Sequence, residues 1–333
     1  MSLLIHQIGP AVTVQDLGRP GYLSVGLSRG GAADLMALTE GAALLGQCPD
    51  CSALEMAGTG GVFEAQTDTR IALTGAMMDA TCDGTALAWN ASHALKAGQR
   101  LTIGSARKGV YGYLHVAGGF RTEEILGARA THLTARLGRA LQAGETLPLL
   151  PDPGGPLGLT IDVTPRFEGG EIRIVPSMQT DLFPQDVLDR FTATRFTRSA
   201  RANRMGVALD FEGDGFTAEG QLNILSEIIM PGDIQMTGDG APYVLLPDCQ
   251  TTGGYPRIGT VLPCDLPRVA QAPLGAPLTF RFVTRDEALD AHRRFAAYAP
   301  KPRPLIRNPA EMQDLLSYQL ISGAVSGFEG EPA

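Results

Sequence analysis

Apolar positions along this chain fall in short runs that stop at glycine or proline. Residues 69–74, 170–176, 243–247 and 278–283 are of strand length rather than helix length. Helical spacing is clearest over residues 33–45, where Leu35, Leu38, Ala42 and Leu45 share a face. Residues 186–191 read as a helical turn, 285–297 as a helix opened by acidic residues, and 310–318 as a further helix. A turn motif recurs at 95–101, 141–147 and 272–278, each with a glycine (Gly98, Gly144, Gly275) free to take positive φ before a strand. Residues 54–63 and 225–234 echo each other more loosely. Each is followed by a polar turn (66–69 and 238–241) and then an apolar strand. The pattern predicts a mostly β protein with a few helices, built as two related barrel-like halves. The proline-rich run 150–156 is the expected linker, and residues 327–333 are expected to be loose.

Composition narrows the class. The 333 residues are about two domains' worth, 44% of them hydrophobic and 19% charged, which excludes a disordered chain. Gly and Pro, 41 and 23 in number, exceed the usual combined share of roughly 12% and demand many turns. Lysine occurs only at 96, 108 and 301, so anion binding falls to the other 24 basic residues, all arginine. A net charge of −8 with no outstanding run of Lys and Arg argues against a nucleic-acid surface. No apolar stretch approaches 20 residues, which argues against a spanning helix, and the N-terminus lacks a signal-peptide pattern, so a cytoplasmic home is expected. Five cysteines are no disulfide framework, and the Cys48/Cys51 pair follows a helix where a redox motif precedes one. The P-loop, G-x-S-x-G and H-E-x-x-H motifs are absent, as is a lysine between methionines, where biotin would be attached.

Three stretches carry candidate chemistry. Residues 13–34 hold Gln15, Arg19, Arg29 and a Gly30-Gly31 pair before the first helix, where exposed amides and guanidinium groups bind anions, with Asp34 at the helix start. Residues 248–257 place Asp248, Gln250, Thr251, Thr252, Gly253, Gly254, Tyr255 and Arg257 within ten positions. Paired glycines let backbone N–H groups face a ligand, and Arg257 has the fork to clamp a carboxylate or bicarbonate-like group. Residues 113–121 place His115 in a strand-like run, where a histidine reads more readily as a core residue than as a base. The basic run 201–206 reads equally as a solvated loop.

Residues 13–34, 54–75, 113–127, 201–209 and above all 225–271 resemble the allophanate hydrolase subunit 2 family. This is also called the biotin-dependent carboxyltransferase family and includes KipA-like proteins, the C component of 5-oxoprolinase and parts of urea amidolyase. The run 248–256 is the most specific part of a likeness spanning residues 4–284. It implies tandem cyclophilin-like β-barrel halves at 1–155 and 156–285, then a C-terminal helix and tail at 286–333. It implies a KipI-like partner (allophanate hydrolase subunit 1), joined by a LamB/YcsF-type subunit in an ATP-dependent 5-oxoprolinase that opens 5-oxoproline to glutamate. The alternative is the carboxyltransferase component of a urea- or amide-carboxylating system, served by a biotin carboxylase and carboxybiotin. A third reading is a regulatory module that captures a KipI-like kinase inhibitor. No metal or covalent cofactor is implied. Many relatives have Ser at position 30, Asp at 203 and Arg at 249, where this chain has Gly30, Asn203 and Cys249.

Either reaction polarises an amide, so fixed donors should surround its oxygen. The expected catalytic set is Asp248, Thr252, Arg257 and Asp34. The expected substrate contacts are Gln15, Arg19, Gln250, Thr251, Gly253, Gly254 and Tyr255. Alanine at Arg257 or Thr252 is expected to cost activity and spare folding.

Overall fold

The computed structural model describes residues 1–218 and 225–306. The first half of the chain supplies nine strands of an eleven-stranded, branched, antiparallel sheet, which Leu159–Thr160 and Arg303–Pro304 complete. Its spine is the pair Thr69–Cys82 and Arg100–Val116. The first of them runs far past the residue 69–74 prediction, and Gly75 is the reason. It reads as a terminator but sits at φ +73° in a register shift, where a Cβ would lie 2.5 Å from the Tyr111 carbonyl oxygen. The glycine is therefore a bulge that bends the pair without ending it.

The second half closes on itself. Its seven-stranded ring runs Gly170–Val175, Arg257–Val261, Asp233–Met236, Pro242–Leu245, Gly206–Asp210, Phe196–Asn203 and Pro277–Phe282. Three predicted strands lie in this ring. The core is aromatic: the Phe191 ring lies 5.1, 5.4 and 5.2 Å from those of Phe196, Phe216 and Phe280. The mostly β expectation thus holds, although the closed hydrogen-bonded ring belongs to the second half alone.

Four α-helices occur among the described residues. Helix α1, Leu35–Leu45, starts two residues later than its apolar spacing predicts because Asp34 caps it, accepting from the Met36 and Ala37 amides. Gly46 ends it at φ +64°. Most of α1 is buried, and Ala37 and Leu38 join the core of the closed ring. Helix α2, Gln185–Ala193, buries Phe191. Helix α3, Leu266–Gln271, escaped prediction, being too short for a helical period. Helix α4, Arg285–Ala296, opens with a reciprocal Thr284–Glu287 capping box. The expected helix at 310–318 and the loose end at 327–333 lie outside the described residues.

The three recurring turns all carry their glycine at positive φ: 82° at Gly98, 87° at Gly144 and 75° at Gly275. The expected linker has no regular structure but is pinned. Asp152 accepts from Arg70 at 2.6 Å, and beyond it Leu159–Thr160 pairs with Ala91–Leu95 in the first sheet. Arg303–Pro304 then pairs with Leu159–Thr160, bringing the chain after α4 back to that sheet. No helix of the described residues is long and apolar enough to cross a membrane.

Candidate functional site

Two of the three nominated stretches meet. The Gly30 amide donates to the Pro247 carbonyl at 3.1 Å, joining the loop before α1 to the loop after strand Pro242–Leu245. Arg204 stands at this junction. Its Nε and Nη2 hold Asp248 Oδ2 and Oδ1 at 2.8 and 2.9 Å. The same guanidinium reaches Glu55 of the first sheet and the Gly31 carbonyl. Glu55 in turn accepts from the Tyr113 hydroxyl at 2.7 Å and the Ala33 amide at 2.8 Å. Burial alone would pull the Arg204 pKa down, but two carboxylates raise it above the ordinary arginine value. Tyr113 is pushed well above 10 by burial and Glu55, so it stays a hydroxyl donor.

Beside this knot lies a small cradle at Gly30, which sits at φ +61°. A Cβ there would lie 3.4 Å from the His132 ring, 3.6 Å from Arg19 Nη1 and 3.6 Å from Asp248 Oδ1. Arg19 is only 1% exposed. Its Nη2 is held by the Ala130 carbonyl and its Nε by that of Ile125 at 3.3 Å, while Nη1 has no partner. Burial lowers the Arg19 pKa against the pull of Asp16 and Asp248. His132 Nε2 lies 2.8 Å from Ser28 Oγ, and its Nδ1 accepts the Ala135 amide at 3.3 Å. The neutral ring therefore keeps its proton on Nε2 and donates to Ser28. Burial lowers its pKa, which favours that neutral form. The cradle thus brings an unused guanidinium N–H and a carboxylate oxygen within van der Waals reach of a Cβ at Gly30, with the Ser28 hydroxyl bonded to the His132 ring that forms its third wall. A cis amide, with its C=O and N–H on one side, needs that combination.

The other face of the 248–255 loop borders a cavity of about 330 Å³, lined by Cys249, Gln250, Gly253, Gly254 and Tyr255 with Gln235 and Met205. Gly253 is required there, since a Cβ would fall 2.6 Å from Gln235 Nε2, a buried donor without a partner. Thr251 is buried, while Thr252 is exposed and pairs with Ile228 in a two-stranded ribbon. Burial pushes the Cys249 thiol up to about 12, so it is no nucleophile at neutral pH.

Two expected roles change. Arg257 is no open clamp. It is buried and spends its donors on Gln179, the Ile228 carbonyl, Asp233 and Glu227, knitting the ribbon to the ring. Asp34 is no accessible base. It is fully buried as the cap of α1, and its Oδ2 takes Arg166 Nε at 2.6 Å and Gln271 Nε2 at 2.9 Å. Arg166 also forks onto Glu40 at 2.8 and 2.6 Å, so this network binds α1 to the second half. Gln15 is fully buried, donating to Thr13 and the Thr131 carbonyl, with Oε1 unpartnered. His115 is a core residue, as its strand context indicates. It bonds Thr74 at 2.8 Å, and burial drops its pKa to about 3. Asn203 accepts the Met205 amide at 2.7 Å, a turn contact that an aspartate could make equally well.

Arg204, Glu55, Ser28 and His132 were missing from the expected site. Glu55 gave a signal, being a lone carboxylate within the apolar strand Ala53–Ala57, where it requires a partner. Arg204 was visible only as part of a basic run. Nothing in the sequence pairs it with a carboxylate 149 positions away.

Residues 25–282 match the family described as carboxyltransferase domain, subdomain A and B, and the chain belongs to that family. It is 35% identical over 295 residues to the C component of 5-oxoprolinase from Escherichia coli, covering 87% of this chain and 94% of that one. It is 33% identical over 306 residues to the Haemophilus influenzae protein of the same name, covering 91% and 98%. Urea amidolyase of Lachancea kluyveri is 26% identical over 301 residues, covering 82% of this chain but 16% of that protein. Among solved structures, TTHA0988 aligns with a TM-score of 0.77 at 31% identity, covering 84% of this chain and 55% of its own, so the chain spans about half of it. Kluyveromyces lactis urea carboxylase shares the fold, with a TM-score of 0.80 at 23% identity over 92% of this chain and 31% of that one.

Proposed function

We propose that this chain is one component of an ATP-dependent 5-oxoprolinase, opening 5-oxoproline to glutamate with a KipI-like and a LamB/YcsF-type subunit. The observation that carries this is length. The C components of 5-oxoprolinase match nearly end to end, whereas the urea amidolyase match is 16% of a far longer protein. The fold shared with urea carboxylase favours a second reading, carboxyl transfer from carboxybiotin to an amide nitrogen within a biotin-dependent system.

Both readings place the amide at the Gly30 cradle. Arg19 Nη1 donates to the amide oxygen as charge builds there, Asp248 Oδ1 accepts its N–H, and the Ser28 hydroxyl is held on the His132 ring that walls the cradle. Arg204 positions Asp248, and His132 positions Ser28. Gln250, Gly253, Gly254 and Tyr255 line the separate cavity on the other face of the loop, apart from this amide. Support for a partner face comes from Leu225, Ile228, Met230 and Tyr255, apolar and exposed around the two-stranded ribbon.

The test is reconstitution. The chain is combined with the KipI-like subunit, with and without the LamB/YcsF-type subunit, and glutamate release from 5-oxoproline is followed with ATP. Activity confined to the three-part mixture supports the reading. A stable complex without turnover, which instead consumes carboxybiotin when given urea, replaces it with carboxyl transfer.

A further inference from the structure

A cavity lies on the first sheet's side of Arg19, which separates it from the Gly30 cradle. Its volume is about 640 Å³, within the range of small-molecule sites. Five arginines line it, Arg19, Arg121, Arg129, Arg136 and Arg139, against two glutamates, in a protein whose net charge is −8. Arg139 is paired with Glu145, and Arg129 reaches Glu124 at 3.4 Å. Arg121 and Arg136, both exposed to solvent at the cavity's rim, have no ion pair among the described residues. Thr122 adds a buried hydroxyl oxygen without a hydrogen-bond partner. Like charges gathered at one concavity repel, and a multiply charged anion relieves that repulsion.

The backbone points the same way. Arg136 is held at φ +57°, a left-handed conformation natural to glycine and costly for arginine. It closes the turn in which the His132 and Leu137 amides exchange hydrogen bonds with each other's carbonyls. Such a turn is more relaxed with glycine, so fold stability gives no reason for a guanidinium there.

We propose that this cavity binds a phosphate-bearing small molecule, its phosphate oxygens forked by Arg121 and Arg136. Phosphate is favoured over a lone carboxylate because two free guanidinium groups match a dianion or a diphosphate. Arg19 forms the wall shared with the Gly30 cradle, its Nε and Nη2 held by cavity-lining carbonyls and its Nη1 on the cradle side. The proposal does not depend on which amide reaction the chain serves.

The experiment is calorimetric titration of the purified full chain with pyrophosphate, ADP and citrate at low salt. Three variants accompany it: Arg136→Gly, Arg121→Ala and, as a charge control, Arg107→Ala, whose exposed side chain pairs with Asp79 on the surface. Expected are saturable binding of pyrophosphate or ADP, at least tenfold weaker in Arg136→Gly and Arg121→Ala and changed less than twofold in Arg107→Ala. Arg136→Gly should melt no lower than wild type, since it relaxes the turn, so its lost binding cannot be blamed on unfolding. Absence of saturable phosphate binding, equal binding of citrate, or equal weakening by Arg107→Ala would overturn the proposal.

Discussion

Arg204 and Asp248 face each other as a two-pronged pair, Nε to Oδ2 at 2.8 Å and Nη2 to Oδ1 at 2.9 Å, with Glu55 of the first sheet on the same guanidinium. One buried cation thus serves two carboxylates from opposite halves of the chain. Removing it strands both acids away from water. Arg204→Met should destabilise the protein by about 3–5 kcal/mol, as breaking a buried pair does. Urea unfolding measures this, and a loss below about 1 kcal/mol would mean that water reaches the knot.

Arg257 carries a related expectation with a different consequence. Because it is braced by Gln179, Ile228, Asp233 and Glu227, Arg257→Ala should lower stability by about 2–5 kcal/mol. Asp248→Asn keeps the size of its side chain. It leaves Arg204 paired with Glu55, so it should cost less stability than Arg204→Met while lowering turnover of the reconstituted complex at least tenfold. The two variants, compared by thermal melting and by activity, separate brace from site.

Gly41 reverses a general rule. Alanine within a helix usually stabilises by about 1 kcal/mol over glycine. In α1 a Cβ at Gly41 would overlap the His115 ring, which is fully enclosed and tied to Thr74. Gly41→Ala should therefore destabilise by about 1–3 kcal/mol, the usual cost of overpacking. Chemical denaturation gives the sign directly.

His115 also sets a pH dependence. Its folded pKa of about 3 lies below the unfolded value near 6.5, so the unfolded chain takes up a proton that the folded chain refuses. This contribution is complete above pH 6.5 and is lost as pH falls toward 3, with a slope approaching about 1.4 kcal/mol per pH unit. His115→Gln should flatten the stability curve across that window. An unchanged slope would assign the acid sensitivity to other groups.

Cysteine reactivity should follow burial. Cys48 is exposed, whereas Cys249 is buried with its thiol raised to about 12. At pH 8, iodoacetamide should label Cys48 within minutes and leave Cys249 unmodified in the folded protein. Mass spectrometry of peptide digests distinguishes the two.

Much of the architecture was legible in the chain. The strand at residues 170–176, the glycine turns at 98, 144 and 275, and helices α1 and α4 follow from local period, capping and backbone freedom. The run 248–257 also announced itself, by crowding polar groups between glycines. Chemistry was harder to place, because residue type does not say which direction a side chain faces. Arg257 and Asp34 have the residue types of a clamp and a base, yet each is consumed by partners distant in sequence.

Local sequence, then, determined the strands, the turns and the caps, since their energies depend on residues within a few positions of one another. Only the tertiary structure decided which charges meet. It brought Arg204 to Glu55 across 149 residues, Arg166 to Asp34 across 132, and left Arg19 Nη1 unsatisfied beside Gly30. Coulomb and hydrogen-bond energies fall off with distance in space, and the closure of the two halves on α1 sets that distance.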